Sequence, residues 1–264
     1  MGTGRLAGQV AIITGASRGL GQYCALGFAK EGARVAVAAR SVAETDGRLP
    51  GTIYQTAELI NEAGGEAFPV VCNVADPGSI AAMIQQVLDR WGRIDILMNN
   101  AAIQPPGDNA DIREKHWNLI FNVNVNGPFH CIRAVLPAMT RQQRGNIINI
   151  SSAATLGGTP YGGTKRALEA MTEGLARELL GKNITVNALK PLSAIETPGF
   201  LFAQVPRGDG QGGVPELPPP DSYVEAAVLL ACQTPETYTG QINNDAQVIG
   251  NLADPKTKSR LKKL

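Results

Sequence analysis

Tyr161 and Lys165 stand four residues apart, just after a strand-like run that ends in Ser151 and Ser152. On a helix starting near Tyr161 the two side chains share one face, a turn apart. A free phenol titrates near ~10 and is a poor base at neutral pH. A neighbouring ammonium favours the phenolate and lowers that value. Such a tyrosine can give a proton to a carbonyl oxygen as hydride reaches the carbon, or run the reverse. A serine hydroxyl from the adjacent strand end can hold the same oxygen. The spacing alone says little, because Tyr and Lys are common on helix surfaces. Its meaning comes from what precedes it.

"TGASRGLG", residues 14–21, precedes it, between the first strand-like run and the first helical one. Gly15, Gly19 and Gly21 permit a tight turn and close backbone approach. The helix N-terminus that follows offers free N–H groups and a partial positive charge to a pyrophosphate. A glycine turn in this position predicts a dinucleotide site, with Ser17, Arg18 and Leu20 in the same loop. An oxidised nicotinamide bound there would also favour the phenolate.

The second strand reports which dinucleotide. NAD-binding sheets commonly end this strand with an acid that holds the ribose 2′-OH. Here it ends Ala39-Arg40-Ser41. No carboxylate repels a 2′-phosphate, and Arg40 and Arg18 can both pair with one. The expected cofactor is therefore NADP(H).

The elements that must hold these residues follow from periodicity. "QVAIITG", "RVAVAAR", "AFPVVCNV", "IDILMNNA", "NIINISS", "ITVNALKP" and "GQINND" read as strands. Helical periodicity fills residues 19–31, 52–63, 78–91, 111–139, 161–180 and 221–232. Strands alternating with helices imply an α/β fold with a parallel sheet covered on both faces. No repeat or domain boundary is visible, so 1–264 reads as one domain. Residues 203–220 are half Gly and Pro and read as a flexible loop over the substrate site. Residues 253–264 read as a basic, solvated tail.

Composition narrows the function class. The net charge of +1 gives no reason to expect nucleic acid or an anionic membrane as a partner. No signal peptide or long apolar run is visible, so the cytoplasm is the default location. The final "KKL" departs from the peroxisomal S-K-L address at Lys262. Cys24, Cys72, Cys131 and Cys232 form no C-x-x-C pair, and all four read as buried, reduced thiols. No metal-ligand spacing appears, and His116 and His130 read as structural.

Together these residues resemble the short-chain dehydrogenase/reductase family over nearly the whole chain. "TGASRGLG" is similar to its cofactor loop and "NNAA", Asn99 to Ala102, to its N-N-A-G. Asn124 in "NVNVNG", with Ser152, Tyr161 and Lys165, matches its Asn-Ser-Tyr-Lys tetrad. The resemblance implies a doubly wound Rossmann-type parallel sheet of about seven strands. It implies that Asn124 supports a water and proton relay to Lys165, which also binds the nicotinamide ribose. It places Asn73 and Val74 at the adenine, Asn100 and Ala101 beside the ribose with Ala102 following, and Pro191, Ile195 and Thr197 beside the carboxamide. "RLPGTIYQTAELINEAGGEA", "KPLSAIET" and "TYTGQ" resemble the hydroxysteroid-dehydrogenase-like branch. The implied partners are a small carbonyl or alcohol substrate and a second copy of the chain, in a homodimer or homotetramer built on helices 111–139 and 161–180. Ala167, Ala170 and Gly174 would permit close helix packing there, or could face the sheet.

Two departures from the family pattern stand out. Pro191 is followed by Leu192 rather than glycine, with one more residue before Thr197. The Ser152–Tyr161 gap is a few residues short. The shortening either trims the pocket wall with Ser152 still in place, or hands the serine role to Ser151. Eight residues can span up to about 27 Å, so reach favours the first. The expected activity is NADP(H)-dependent interconversion of a carbonyl and a secondary alcohol, in the reducing direction, with Tyr161 as acid/base. The alternatives are a nucleotide-binding protein without turnover, or imine reduction or epimerisation at the same site.

Overall fold

The computed structural model describes residues 4–43, 50–195, 197 and 217–262. Seven parallel strands form one sheet in the order β3-β2-β1-β4-β5-β6-β7. They are β1 (Val10–Thr14), β2 (Arg34–Ala39), β3 (Glu66–Val71), β4 (Ile96–Asn99), β5 (Gly145–Ile150), β6 (Ile184–Lys190) and β7 (Ile242–Asn244). The helices between them are α1 (Gly19–Lys30), α2 (Ile53–Glu62), α3 (Pro77–Trp91), α4 (Glu114–Phe121), α5 (Gly127–Gln142), α6 (Pro160–Leu179) and α7 (Asp221–Ala231). Two more close the chain, α8 (Asp245–Leu252) and α9 (Pro255–Leu261).

Burial explains why the strands read as apolar runs rather than alternating ones. Every residue of β1 and β5 is buried. Ala11 and Ile13 of β1 join the layer of Phe28 (α1) and Leu230 (α7), while Val10 and Ile12 join that of Met83 (α3) and Val135 (α5). At the sheet edge β3 is more open, with Glu66 and Val71 exposed and only Ala67 and Val70 buried. It also carries Pro69, which an edge strand tolerates because a missing N–H costs no ladder bond there.

The strand order reverses between β1 and β4, where a crevice opens beyond the carboxyl ends. Thr14 pins that point. Its hydroxyl accepts the N–H groups of Asn100 and Ala101, each at 3.1 Å, and donates to the Met98 carbonyl. Further along, the Asn99 amide donates to Asn149 and Asn149 to Thr172 of α6, each at 2.9 Å. Buried polar groups need such partners, and these tie β4, β5 and α6 together.

Three expectations need correction. The helix expected over 111–139 is two helices joined by a π-helical turn, Asn122–Asn126, which carries Asn124. Periodicity cannot register one extra residue in a turn when the apolar stripe resumes after it. The basic C-terminal segment is folded: α9 is capped by Asp254, and Arg260 pairs with Glu225 at 3.1 Å. Cys24, Cys72 and Cys131 are buried, but Cys232 is exposed where α7 ends. Of the expected substrate loop 203–220, residues 203–216 lie outside the described residues. No helix among the described residues is long and apolar enough to cross a membrane.

Candidate active site

The glycine loop forms the floor of a cleft of about 380 Å³. Gly15 has φ 67°, and a Cβ there would meet the Ala101 backbone at 2.8 Å. Only glycine fits this turn. A Cβ on Gly21 would strike the Asn100 side chain and the Gly15 carbonyl, so Gly21 lets α1 pack on the loop and does not itself line the cleft. The Arg18 side chain does not cap α1, and Gly19 and Leu20 of its first turn line the cleft. A glycine cradle beneath a helix N-terminus suits a pyrophosphate.

Ser17, Arg40, Ser41, Asn73, Val74, Ala102 and Thr197 line the same cleft with Gly15, Arg18, Asn100 and Ala101. The Arg18 guanidinium is held at the end of β2 by the Ser41 hydroxyl at 3.1 Å and the Gly51 carbonyl at 2.7 Å. Arg40 is exposed beside it. The Asn100 amide donates to the Thr14 and Gly15 carbonyls, so this side chain braces the loop. Ile195 is buried away from the cleft, against a second cavity of about 550 Å³ beside α7 and α8, and Pro191 lines neither space. Ala39, at the strand end already read, lines the cleft too, as do Cys72, Ile103 and Val123, which the sequence did not mark as site residues. They are apolar residues beside recognised motifs, with no chemical signal of their own.

The chemical end is built on α6. Thr159 caps that helix through the Gly162 N–H at 3.1 Å, and Pro160 opens it. The bridge from β5 coils into a short 3₁₀ turn, Ala153–Leu156, with the Ser152 hydroxyl accepting the Ala154 N–H at 3.2 Å. Ser152 also faces the Tyr161 side chain, where its hydroxyl favours the phenolate. Ser151 points elsewhere: it is buried and donates to Glu169 at 2.7 Å. Lys165 is buried, its Nζ 2.7 Å from the Ile150 carbonyl and 5.6 Å from the centre of the Tyr161 ring.

The electrostatics differ from the expected depression of the phenol. Burial pushes Tyr161 above its ordinary value, and the neighbouring Ser152 hydroxyl opposes that shift. Burial also lowers Lys165 to about 8. The ammonium lies over the ring and bonds a main-chain carbonyl, so it does not hold the phenolate oxygen directly.

Asn124 is fully buried, and both amide protons are committed, to the Ile103 carbonyl at 2.9 Å and to Thr164 at 3.1 Å. Its side-chain oxygen accepts the Ile103 N–H at 2.9 Å. Thr164 donates in turn to the Tyr161 carbonyl at 2.7 Å. The Asn124 side chain thus fastens the cleft wall at Ile103 to the helix that carries Tyr161. Thr164, inside Y-x-x-x-K, is the link the sequence reading missed.

Comparisons with known proteins agree with this architecture. The short chain dehydrogenase family model matches residues 9–200. The chain is 33% identical over 250 residues to the 3-oxoacyl-[acyl-carrier-protein] reductase FabG of Thermotoga maritima, covering 90% of this chain and 96% of that protein. It is 34% identical over 253 residues to human hydroxysteroid dehydrogenase-like protein 2, covering 94% of this chain but 59% of that longer protein. An actinorhodin polyketide ketoreductase solved with NADPH superposes with a TM-score of 0.81 at 29% identity, covering 92% of this chain and 97% of that one. The match to the family model across most of the chain, on a seven-stranded parallel sheet with the glycine cleft at its switch point, makes this protein a member of the short-chain dehydrogenase/reductase family of oxidoreductases.

Proposed function

We propose that the protein interconverts a carbonyl and a secondary alcohol with NADP(H), Tyr161 acting as general acid/base. The observation that carries this reading is the buried Lys165 lying over the Tyr161 ring on a helix that Asn124 and Thr164 tie to the cleft wall at Ile103. Bound NADPH would supply the hydride. Gly15, Gly19 and the first turn of α1 hold its pyrophosphate, and Lys165 holds its ribose. Asn73 and Val74 flank the adenine. Ser152 and Tyr161 hold the substrate carbonyl oxygen, and Tyr161 gives it a proton. A phenol raised by burial stays protonated at neutral pH, which suits the reducing direction. Asn124 positions α6 against the cleft wall.

The NADP(H) preference rests on the end of β2. Arg18 and Arg40 flank it, and no acid stands at Ala39–Ser41. FabG is named as a reductase, and the polyketide ketoreductase was solved with NADPH; both accord with this reading. A homodimer or homotetramer fits the exposed Trp117, Leu119 and Phe129 of α4 and α5. It also fits Ala167, Ala170 and Gly174, which are not among the buried residues of α6. Light scattering tests that point.

The deciding experiment is a panel of ketones, aldehydes and alcohols run with NADPH and NADH on the native chain and on Tyr161→Phe. Carbonyl reduction by the native chain, lost in Tyr161→Phe with NADPH affinity retained, is the expected result. Stoichiometric NADPH binding with no turnover would favour a nucleotide-binding protein instead. Imine products or epimers would reassign the chemistry at the same residues.

A further inference from the structure

Glu169 lies one helical turn beyond Lys165 on α6 and is only 3% exposed. A buried acid is costly unless its oxygens find donors. Glu169 finds them on three elements. Ser151, just past β5, donates to Oε1 at 2.7 Å, and Lys190 at the end of β6 lies 3.4 Å from the same oxygen. Arg166 of α6 is 3.5 Å from Oε2. The acid bolts α6 to the carboxyl ends of two strands.

What it bolts down matters for the site. Ser151 sits between Ile150, whose carbonyl receives Lys165, and Ser152, which faces Tyr161. On its other side the Ser151 N–H donates to Leu189 at 2.8 Å. Two of the contacts that fix Lys165 and Tyr161 therefore come from residues flanking the one Glu169 grips. We propose that Glu169 is a positioning residue, setting the register of residues 150–152 against α6 and so the geometry of Ser152, Tyr161 and Lys165. This rests on the oxidoreductase reading above.

The test compares Glu169→Ala, Glu169→Gln and Ser151→Ala in the full chain. Glu169→Ala should lower kcat by roughly tenfold to a hundredfold, the scale of a small misplacement at a reacting centre, with KM and NADPH affinity little changed. Glu169→Gln keeps an acceptor for the Ser151 hydroxyl and should recover most of that loss. A second readout needs no turnover: titration of the Tyr161 phenol, by ultraviolet difference against Tyr161→Phe. The groups facing that phenol are Ser152, Lys165 and, from α7, Tyr223. Loosening Ser152 should raise the phenol further in Glu169→Ala. Deleting a negative charge alone would lower it, and in Glu169→Gln equally. An unmoved titration, with kcat per folded molecule unchanged, overturns the proposal and leaves Glu169 a purely structural bolt. If the native chain reduces no carbonyl, the oxidoreductase reading fails by itself while the titration still decides the role of Glu169.

Discussion

The Nζ of Lys165 stands 5.6 Å from the centre of the Tyr161 ring, yet its 2.7 Å hydrogen bond goes to the Ile150 carbonyl. The lysine is thus a buried cation with a single neutral acceptor among the contacts described, and burial has lowered its titration to about 8. Between that value and the unfolded one, the unfolded chain binds more protons, so stability rises with pH. Below about 8 the folded state carries the cost of a buried charge. Lys165→Met should therefore melt higher than the native protein at neutral pH without cofactor, with the gap narrowing as pH climbs past about 8. Thermal unfolding across that range measures it; a gap that widens with pH would contradict the burial argument.

Ser151 and Ser152 have been separated by the fold. Ser152 meets Tyr161, whereas Ser151 is spent on Glu169. Ser152→Ala should cut turnover more than Ser151→Ala, with little effect of either on NADPH binding. Steady-state kinetics on both variants decide the matter, and equal losses would break the assignment.

The two glycines of "YGGTK" should behave oppositely. A Cβ on Gly162 would collide with the Ala154 carbonyl, while one on Gly163 meets nothing within 4 Å. Gly162→Ala should push the 3₁₀ turn off α6, part Ser152 from Tyr161 and depress kcat. Gly163→Ala should leave activity intact and raise stability by roughly 0.5–1 kcal/mol, since alanine costs less than glycine inside a helix. Parallel denaturation and rate measurements would expose any reversal of that order.

Arg40 is exposed at the cleft rim, whereas Arg18 is tied to Ser41 and Gly51. Arg40→Ala should weaken NADPH more than NADH, by at most roughly 1.5–3 kcal/mol for a charge-assisted bond and less where water screens it. Calorimetric titration with both cofactors tests this. Equal losses would assign the 2′-phosphate to Arg18 or to neither.

The sequence determined the parallel sheet, the glycine cradle and the Tyr161–Lys165 pairing on one helix face. Each is a local consequence of chain periodicity or steric demand. A run such as "VAIIT" has few places to go except a strand buried on both faces, and Gly15 stands where only glycine can turn. Those signals lie within a few residues of one another.

Only the tertiary structure sets Ser151 apart from Ser152, by giving its hydroxyl to Glu169. Two adjacent serines look alike in sequence, and the choice turns on which one meets a carboxylate eighteen residues away. The same holds for Asn124, whose side chain is consumed by Ile103 and Thr164, and for the π-turn that carries it. The bond of Lys165 to the Ile150 carbonyl was likewise invisible, because it depends on how α6 packs against the end of β5. Hydrogen bonds between distant elements are set by how helices and strands pack, and no spacing along the chain encodes that packing.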